Sequence, residues 1–194
     1  GGDPLTTPIE VWNEQWQINV MSHVYAVRAV LPGMLERGHG YLLHTASMAG
    51  ILTSAGNLTY ATTKHAVVGL AEWLSITYHD QGIRVSLLAP LGVLTPMLGP
   101  TDSAFARNFA GPIKEPIEVA QMVVEAIEAE LVKADDHAGV AAAYLRQLDR
   151  LKGDEGKPQS IAILRKLAQI EWEKLENAKA ATAALKRLIE LDPD

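Results

Sequence analysis

The sequence predicts an α/β fold with parallel strands and covering helices, followed by an α-helical tail. One observation is the order of elements over residues 1–133, helix, strand, helix, strand, helix, which is typical of a parallel sheet with helical crossovers. Another is charge density: 19 of the first 133 residues are charged, against 21 of the last 61. We therefore predict two domains, residues 1–133 and residues 134–194.

The first helix and the first strand follow from residues that start and stop elements. Thr7-Pro8-Ile9-Glu10 combines a capping hydroxyl, a proline at the first helical position and an early glutamate, which together indicate a helix start. We expect this helix to end near residue 30, because Leu31-Pro32-Gly33 disfavours continuation. A turn at Gly38-His39-Gly40 then leads into a short apolar strand over residues 41–46.

The second half of the first domain repeats this alternation. A long helix over residues 57–79 is predicted to stop at Gly82. The strand at 83–89 is too apolar to be half exposed. The proline-rich loop at 90–112 is of a length that compact domains usually reserve for lids or binding loops. A third helix, over residues 115–133, closes the domain.

The tail is predicted to be helical throughout. Two amphipathic helices, 161–175 and 177–191, are joined tightly, and residues 138–151 are compatible with a helix before them. The end of the chain, Ala178–Pro193, resembles one tetratricopeptide-type repeat, with Ala181 at the small packing position and Pro193 at the closing proline. A single such repeat cannot bury its own apolar face, since about three are usually needed.

Composition excludes several classes of function. The absence of cysteine excludes a disulfide scaffold, a thiolate metal site and a cysteine nucleophile. A net charge of −6 argues against nucleic-acid binding. No run approaches the ~18 apolar residues of a membrane span, and no residue pattern indicates a metal site, so we expect neither membrane nor metal. Because the chain has no cysteine and Gly1-Gly2-Asp3-Pro4 does not read as a signal peptide, we expect a cytoplasmic protein. His44 and His65 are expected to be structural.

The residues that suggest chemistry lie between Ser47 and Lys64. Ser47 follows the first strand, Tyr60 comes 13 positions later, and Lys64 is four beyond Tyr60. Positions i and i+4 share a helix face, so Tyr60 and Lys64 should point the same way near the carboxyl end of that strand. An ammonium beside a phenol favours the phenolate, which makes tyrosine a competent general acid/base. A serine hydroxyl can hold the reacting oxygen, and the hydride must come from a cofactor.

Over residues 1 to about 130 the chain resembles the short-chain dehydrogenase/reductase family. Besides the serine, tyrosine and lysine, the resemblance rests on Asn19, which lies 28 positions before Ser47, and on three flanking segments: His65-Ala66-Val67-Val68-Gly69-Leu70, Gly82-Ile83-Arg84-Val85 and Pro90. It implies the C-terminal part of a doubly wound Rossmann-type sheet. It also implies that the first half of the dinucleotide fold, roughly 80–90 residues, is missing.

The resemblance implies a role for each matching residue. Tyr60 would be the general acid/base, and Lys64 would favour its phenolate and grip the nicotinamide ribose. Ser47 would orient the substrate oxygen, and Asn19 would hold a water in a proton relay. The residues matching the loop at the nicotinamide end are Pro90, Val93 and Thr95.

The implied function is NAD- or NADP-dependent interconversion of an alcohol and a carbonyl compound, with the substrate under loop 91–112. The sequence departs from the family in two ways. Leu91 stands where the family usually has glycine, with Gly92 following, and no G-x-G-x-x-G phosphate turn is found. The residue that selects NAD or NADP is likewise not found. We therefore expect this chain alone to bind nicotinamide weakly or not at all unless another segment supplies the missing strands.

Two expectations concern partners. The resemblance implies a homo-oligomer formed through the helices at 8–30 and 57–79, which carry three of the tryptophans. A second hypothesis assigns no catalysis: the chain would be an inactive fragment or chimera whose helical tail is a protein-interaction or packing module. The first hypothesis needs a bound cofactor, whereas the second needs only a folded helical surface.

Overall fold

The α/β class is confirmed by a computed structural model that describes residues 2–53, 55–98, 112–151 and 156–193. Its two strands are β1 (Gly40–Thr45) and β2 (Ile83–Leu88). Its helices, in chain order, are α1 (Ile9–Trp16), α2 (Ser22–Glu36), α3 (Leu58–Tyr78), α4 (Pro116–Lys133), α5 (His137–Arg150), α6 (Lys157–Glu173) and α7 (Ala178–Leu191). Short helical turns lie at Gln17–Met21, Met48–Gly50, His79–Gln81 and Pro96–Leu98, the first of them π-helical.

The predicted parallel pairing of the strands is confirmed. β1 and β2 run parallel in a register that starts with Gly40 opposite Ile83 and ends with Thr45 opposite Leu88. Parallel neighbours need a long crossover connection, and α3 supplies it. The pairing continues past the strand ends, because the Ala46 amide donates a hydrogen bond of 2.8 Å to the Leu88 carbonyl.

The core of this part of the chain lies between the sheet and two helices. Buried side chains from α2, β1, α3 and β2 form one cluster: Val27, Leu31, Leu42, Leu74 and Ile83. Burying apolar surface stabilises the fold by about 25 cal/mol per Å², so a cluster of this size holds the four elements together. The start of α3 lies close to the carboxyl end of β1, where Lys64 donates a hydrogen bond to the Thr45 carbonyl.

The predicted end of the first helix is wrong. The structure has a π-helical turn after α1, and α2 then continues through Pro32 to Glu36. Pro32 lacks the N–H that would bond one turn back, but its neighbours outweigh that loss. Leu31 is buried, and Met34 and Leu35 pack against the same cluster, so burial keeps the helix intact.

The expectation that the second strand is too apolar to be half exposed is also wrong. Only Ile83 is completely buried, and the other residues of β2 are partly exposed. Within the part of the chain that the structure describes, β1 is the only ladder partner of β2. Thirteen residues of the predicted loop at 90–112, namely 99–111, lie outside the described residues.

The chain divides into two compact units, residues 1–119 and residues 120–194. The domain boundary predicted near residue 133 stays a prediction. The second unit is helical, as the sequence suggests for the tail. Asp136 and Asn177 cap α5 and α7, and their side chains accept hydrogen bonds from the amides of Gly139 (2.8 Å) and Ala180 (3.2 Å). None of the helices described is long and apolar enough to cross a bilayer.

Gly82 is predicted to be indispensable to the junction between α3 and β2. Its φ of 79° is left-handed, and a Cβ there would collide with the carbonyl oxygen of Gly38. Gly38 also has a positive φ, 72°, but a Cβ there meets nothing. We expect Gly82→Ala to lower the free energy of unfolding by about 3 kcal/mol, and Gly38→Ala by about 1 kcal/mol.

Urea unfolding followed by tryptophan fluorescence measures both changes. A Trp172→Phe background confines the signal to the unit formed by residues 1–119, which holds the other three tryptophans. Equal losses in the two variants would show that the contact with Gly38 adds nothing to backbone strain.

Candidate active site

Tyr60 and Lys64 lie together in the first two turns of α3. The Lys64 Nζ atom is 5.6 Å from the centroid of the Tyr60 ring. The same ammonium donates a hydrogen bond of 3.3 Å to the carbonyl of Thr45, the last residue of β1. Because parallel sheets bind ligands at the carboxyl ends of their strands, this pair occupies the edge where a ligand is expected.

The environment of Lys64 makes its charge costly to keep. Burial lowers the pKa of Lys64 below its ordinary value of 10.5, because removal from water disfavours the ammonium. The hydrogen bond to the Thr45 carbonyl replaces part of the hydration that the Lys64 ammonium loses on burial. Tyr60 and Lys64 are both only partly buried, so a ligand can reach them from solvent.

Ser47 lies just after β1 and begins a tight turn. Its backbone is extended, and its Oγ atom accepts a hydrogen bond of 3.2 Å from the Ala49 amide, which caps the turn at Met48–Gly50. Gly50 closes the turn against α3: a Cβ there would lie 2.6 Å from the Lys64 carbonyl oxygen. The missing side chain at Gly50 therefore allows the Ser47 turn to approach the helix that carries Lys64.

Asn19 lies inside the π-helical turn between α1 and α2. Its Nδ2 atom donates a hydrogen bond of 3.0 Å to the Thr63 hydroxyl, which in turn donates one of 2.9 Å to the Tyr60 carbonyl. Thr63 is fully buried, so both bonds are shielded from water. Asn19 is thus tied to the backbone of Tyr60, and π-helical turns are frequent at functional sites.

The loop after β2 is held at two points. The Pro90 carbonyl accepts a hydrogen bond of 3.0 Å from the Met48 amide, which ties the ends of the two strands together. Further on, Lys114 donates its amide hydrogen to the Gly92 carbonyl at 3.1 Å and accepts one from the Leu94 amide at 2.9 Å. Pro90 is therefore adjacent to the turn that Ser47 caps.

Val93 and Thr95 are not brought into contact with Tyr60 or Lys64 by any hydrogen bond between the residues described. The Thr95 hydroxyl donates a hydrogen bond of 3.4 Å to the Val93 carbonyl, and Val93 bridges to Lys114. At Leu91 the sequence departs from the family pattern, and the glycine of this turn, Gly92, stands one position later. The Leu91 side chain is half exposed, whereas Gly92 is buried.

Sequence reasoning missed three residues beside the site. Thr63 directly precedes Lys64, and His23 lies four positions after Asn19 on the same helix face, so spacing could have identified both. His44, which we expected to be an isolated structural histidine, is paired: its Nδ1 atom is 3.1 Å from the Nδ1 of His23. Spacing along a single element gives no sign of this contact between α2 and β1.

Both histidines are held in the neutral form. Burial, followed by the charge of Lys64, lowers the pKa of His23 below its ordinary value of 6.5, and the Thr45 backbone offsets part of this. Burial and the neighbouring His23 lower the pKa of His44 in the same direction. The pair therefore adds no positive charge beside Lys64 at neutral pH.

Comparison with known proteins identifies the same family over most of the first unit, residues 1–119. The family model described as short chain dehydrogenase matches residues 4–106. The 2-keto-3-deoxy-L-fuconate dehydrogenase of Xanthomonas campestris pv. campestris is 35% identical over 136 residues, covering 63% of this chain and 45% of that protein. The cyclohexanol dehydrogenase of an Acinetobacter strain is 31% identical over 117 residues, covering 59% and 47%.

Among solved structures, L-sorbose reductase from Gluconobacter frateurii in complex with NADPH and L-sorbose is 29% identical, with a TM-score of 0.46. That match covers 49% of this chain and 36% of the reductase. The chain spans about half the length of the curated relatives it matches. Since the family model covers more than half of this sequence, the chain belongs to the short-chain dehydrogenase family.

Proposed function

We propose that this chain carries the proton-transfer part of an active site that interconverts an alcohol and a carbonyl compound with the help of a nicotinamide cofactor. The observation that supports the proposal is the placement of Tyr60 beside the Lys64 ammonium at the carboxyl end of β1. A tyrosine hydroxyl that meets the substrate oxygen can exchange a proton with it as a general acid/base. The names of the relatives, which are dehydrogenases, agree with this chemistry.

In the proposed mechanism Tyr60 exchanges the proton of the substrate oxygen. In the direction of oxidation the phenolate accepts the hydroxyl proton, and in reduction the phenol returns it. Lys64 stabilises the phenolate through its positive charge. The Thr45 carbonyl orients the Lys64 ammonium toward this task from the end of β1.

Ser47 and Asn19 have supporting roles in the proposal. Ser47 orients the substrate oxygen. Its Oγ atom accepts a hydrogen bond from the Ala49 amide, so the Ser47 hydroxyl proton can be donated to a ligand. Asn19 holds a water that passes the Tyr60 proton on toward solvent. The bond from Asn19 to Thr63 supports this role, because it keeps Asn19 at a fixed distance from α3.

The residues present fit the nicotinamide end of NAD or NADP. Lys64 has ammonium donors that can reach ribose hydroxyls, and the loop carrying Pro90, Val93 and Thr95 begins beside the same strand end. A bound nicotinamide supplies or accepts the hydride at the substrate carbon. We propose a small alcohol or carbonyl substrate, bound near loop 91–112.

We further propose that the protein assembles with copies of itself through α1, α2 and α3. Large apolar side chains stand exposed on this stretch, among them Ile18, Trp73 and Ile76. Such exposure is typical of surfaces that another chain covers.

In the same proposal, residues 1–133 form the catalytic domain, and residues 134–194 form a helical appendage.

The second candidate function is an interaction module formed by the tail. Trp172 on α6 and Leu185 and Ile189 on α7 are exposed apolar residues, which favours a covered face on these two helices. This candidate predicts that substitutions at Tyr60 and Lys64 change nothing the protein does. The oxidoreductase proposal predicts the opposite.

Tyr60→Phe tests the proposed chemistry, since it removes the exchangeable proton and keeps the ring. In a protein that carries this chain together with the other strands of a complete dinucleotide-binding fold, we expect turnover of secondary alcohols with NAD or NADP, followed by nicotinamide absorbance, to fall by at least about 10²-fold. Tyr25→Phe, at an exposed tyrosine on α2, is the matched control and should retain turnover. Retained turnover in Tyr60→Phe would remove Tyr60 from its role.

Gly50→Ala tests whether the close approach of the Ser47 turn to α3 holds the site together. A Cβ would come 2.6 Å from a backbone oxygen that cannot move without shifting the helix. We expect a loss of about 1–3 kcal/mol in the free energy of unfolding, measured by urea titration. The control is Gly69→Ala on α3, where a Cβ meets nothing and the free energy of unfolding should rise by about 0.5–1 kcal/mol. An unchanged stability in Gly50→Ala would contradict the account.

A further inference from the structure

Two threonines on α3, Thr59 and Thr63, are fully buried one helical turn apart. The Oγ1 atom of Thr59 has no hydrogen-bond partner among the residues described. The Oγ1 atom of Thr63 takes part in two hydrogen bonds, one with the Asn19 side chain and one with the Tyr60 carbonyl. The proposed mechanism assigns no step to Thr63, although its hydroxyl lies between two residues that the mechanism uses.

The direction of these two bonds follows from the groups that make them. The Tyr60 carbonyl can only accept, so the Thr63 hydroxyl donates its single hydrogen to it at 2.9 Å. The Thr63 oxygen then offers only lone pairs, and the group that it meets at 3.0 Å must be a donor. On an asparagine side chain that donor is the amide nitrogen. The Nδ2 atom of Asn19 therefore faces Thr63.

The opposite orientation of the Asn19 amide makes fewer bonds. If Oδ1 faced Thr63, the hydroxyl hydrogen would have to leave the Tyr60 carbonyl to meet it. With Nδ2 facing Thr63, that bond is kept, and Nδ2 also lies 3.5 Å from the Oε1 atom of Gln15, one turn earlier. Because a polar group left unpaired next to a buried side chain is costly, the network selects the orientation that places both amide hydrogens.

This orientation decides which group Asn19 offers to a ligand. Both hydrogens of its amide are directed at protein acceptors, whereas Oδ1 makes no hydrogen bond among the residues described. Asn19 is only partly buried, so a water can reach it. A water bound at Oδ1 donates one hydrogen to it and keeps its other hydrogen and its lone pairs for other neighbours. Asn19 therefore meets that water as an acceptor.

We propose that Thr63 is a positioning residue for Asn19: its hydroxyl bridges the Tyr60 carbonyl and the Asn19 amide, and so holds Asn19 Oδ1 as the acceptor offered to a bound water. The consequence for proton transfer rests on the function proposed above, whereas the orientation of the amide does not. Thr63→Val keeps the branched shape of the side chain and removes both bonds, and Thr63→Ser keeps the hydroxyl.

The test of the orientation is NMR of the whole chain labelled with ¹⁵N-asparagine and ¹³C-threonine. The chain has five asparagines, and Asn19→Asp identifies the Asn19 amide signal by its loss. In the unsubstituted chain we expect nuclear Overhauser effects between the Asn19 amide hydrogens and the Thr63 side chain. In Thr63→Val we expect these hydrogens to exchange with water about three- to tenfold faster, as the loss of one hydrogen bond implies.

Two further variants serve as controls for that measurement. Thr63→Ser should keep the slow exchange of the Asn19 amide, because it keeps the hydroxyl. Thr59→Val removes an equally buried hydroxyl that has no partner among the residues described, so it should leave the Asn19 signals in place.

Kinetics separate positioning from mere packing. In a protein that carries this chain together with the other strands of a complete dinucleotide-binding fold, we expect Thr63→Val to lower kcat by at least about fivefold and to leave KM within about twofold, since the relay acts after the substrate is bound. Thr63→Ser should restore kcat, and Thr59→Val should retain it.

Three NMR results would overturn the inference: no Overhauser effect between the Asn19 amide and Thr63 in the unsubstituted chain, unchanged exchange in Thr63→Val, or equally faster exchange in Thr59→Val. The first is read from the unsubstituted chain, so a variant that fails to fold does not affect it. A loss of kcat that Thr63→Ser does not restore would also contradict the inference. If the NMR pattern is present and the complete protein oxidises no alcohol, the orientation of Asn19 stands and the proposed function fails.

Discussion

The parallel pairing of β1 with β2 is the constraint on which the rest of the site depends. Parallel strands require a long crossover, and α3 makes that crossover across the face of the sheet. Leu74, near the end of α3, belongs to the same buried cluster as Ile83, and the first turns of α3 are held at β1 by the hydrogen bond from Lys64. The carboxyl end of β1 and the start of α3 are therefore neighbours, and this brings the Lys64 ammonium to the Thr45 carbonyl.

Around Lys64, low solvent access makes every polar contact matter more. The ammonium is partly desolvated, and the groups near it are either neutral or oriented to accept its hydrogens. The glycine at position 50 brings the Ser47 turn against the backbone of the same residue. Thr63, one position earlier, links α3 to Asn19. Three separate segments thus converge on two consecutive residues of one helix.

The sequence predicts those features that depend on spacing along a single element. The shared face of Tyr60 and Lys64, the parallel class of the sheet and the stop at Gly82 all follow from local rules. It fails where contacts between elements decide the outcome. Pro32 does not end α2, because its neighbours are buried against the sheet, and the His23–His44 pair exists only because α2 lies on β1. The roles of the site residues stay predictions.

The most direct test of the central claim is saturation-transfer NMR of NADH and NADPH with this chain, which detects even millimolar affinities. Of the two outcomes expected from the sequence, weak nicotinamide binding and none, the placement of Lys64 favours weak binding. We predict transfer to the nicotinamide protons, which Lys64→Met removes and which Lys179→Met, at an exposed lysine on α7, leaves in place. Transfer that is equal in the unsubstituted chain and in Lys64→Met would contradict the account. Its absence from the unsubstituted chain would contradict the proposed nicotinamide site in this chain.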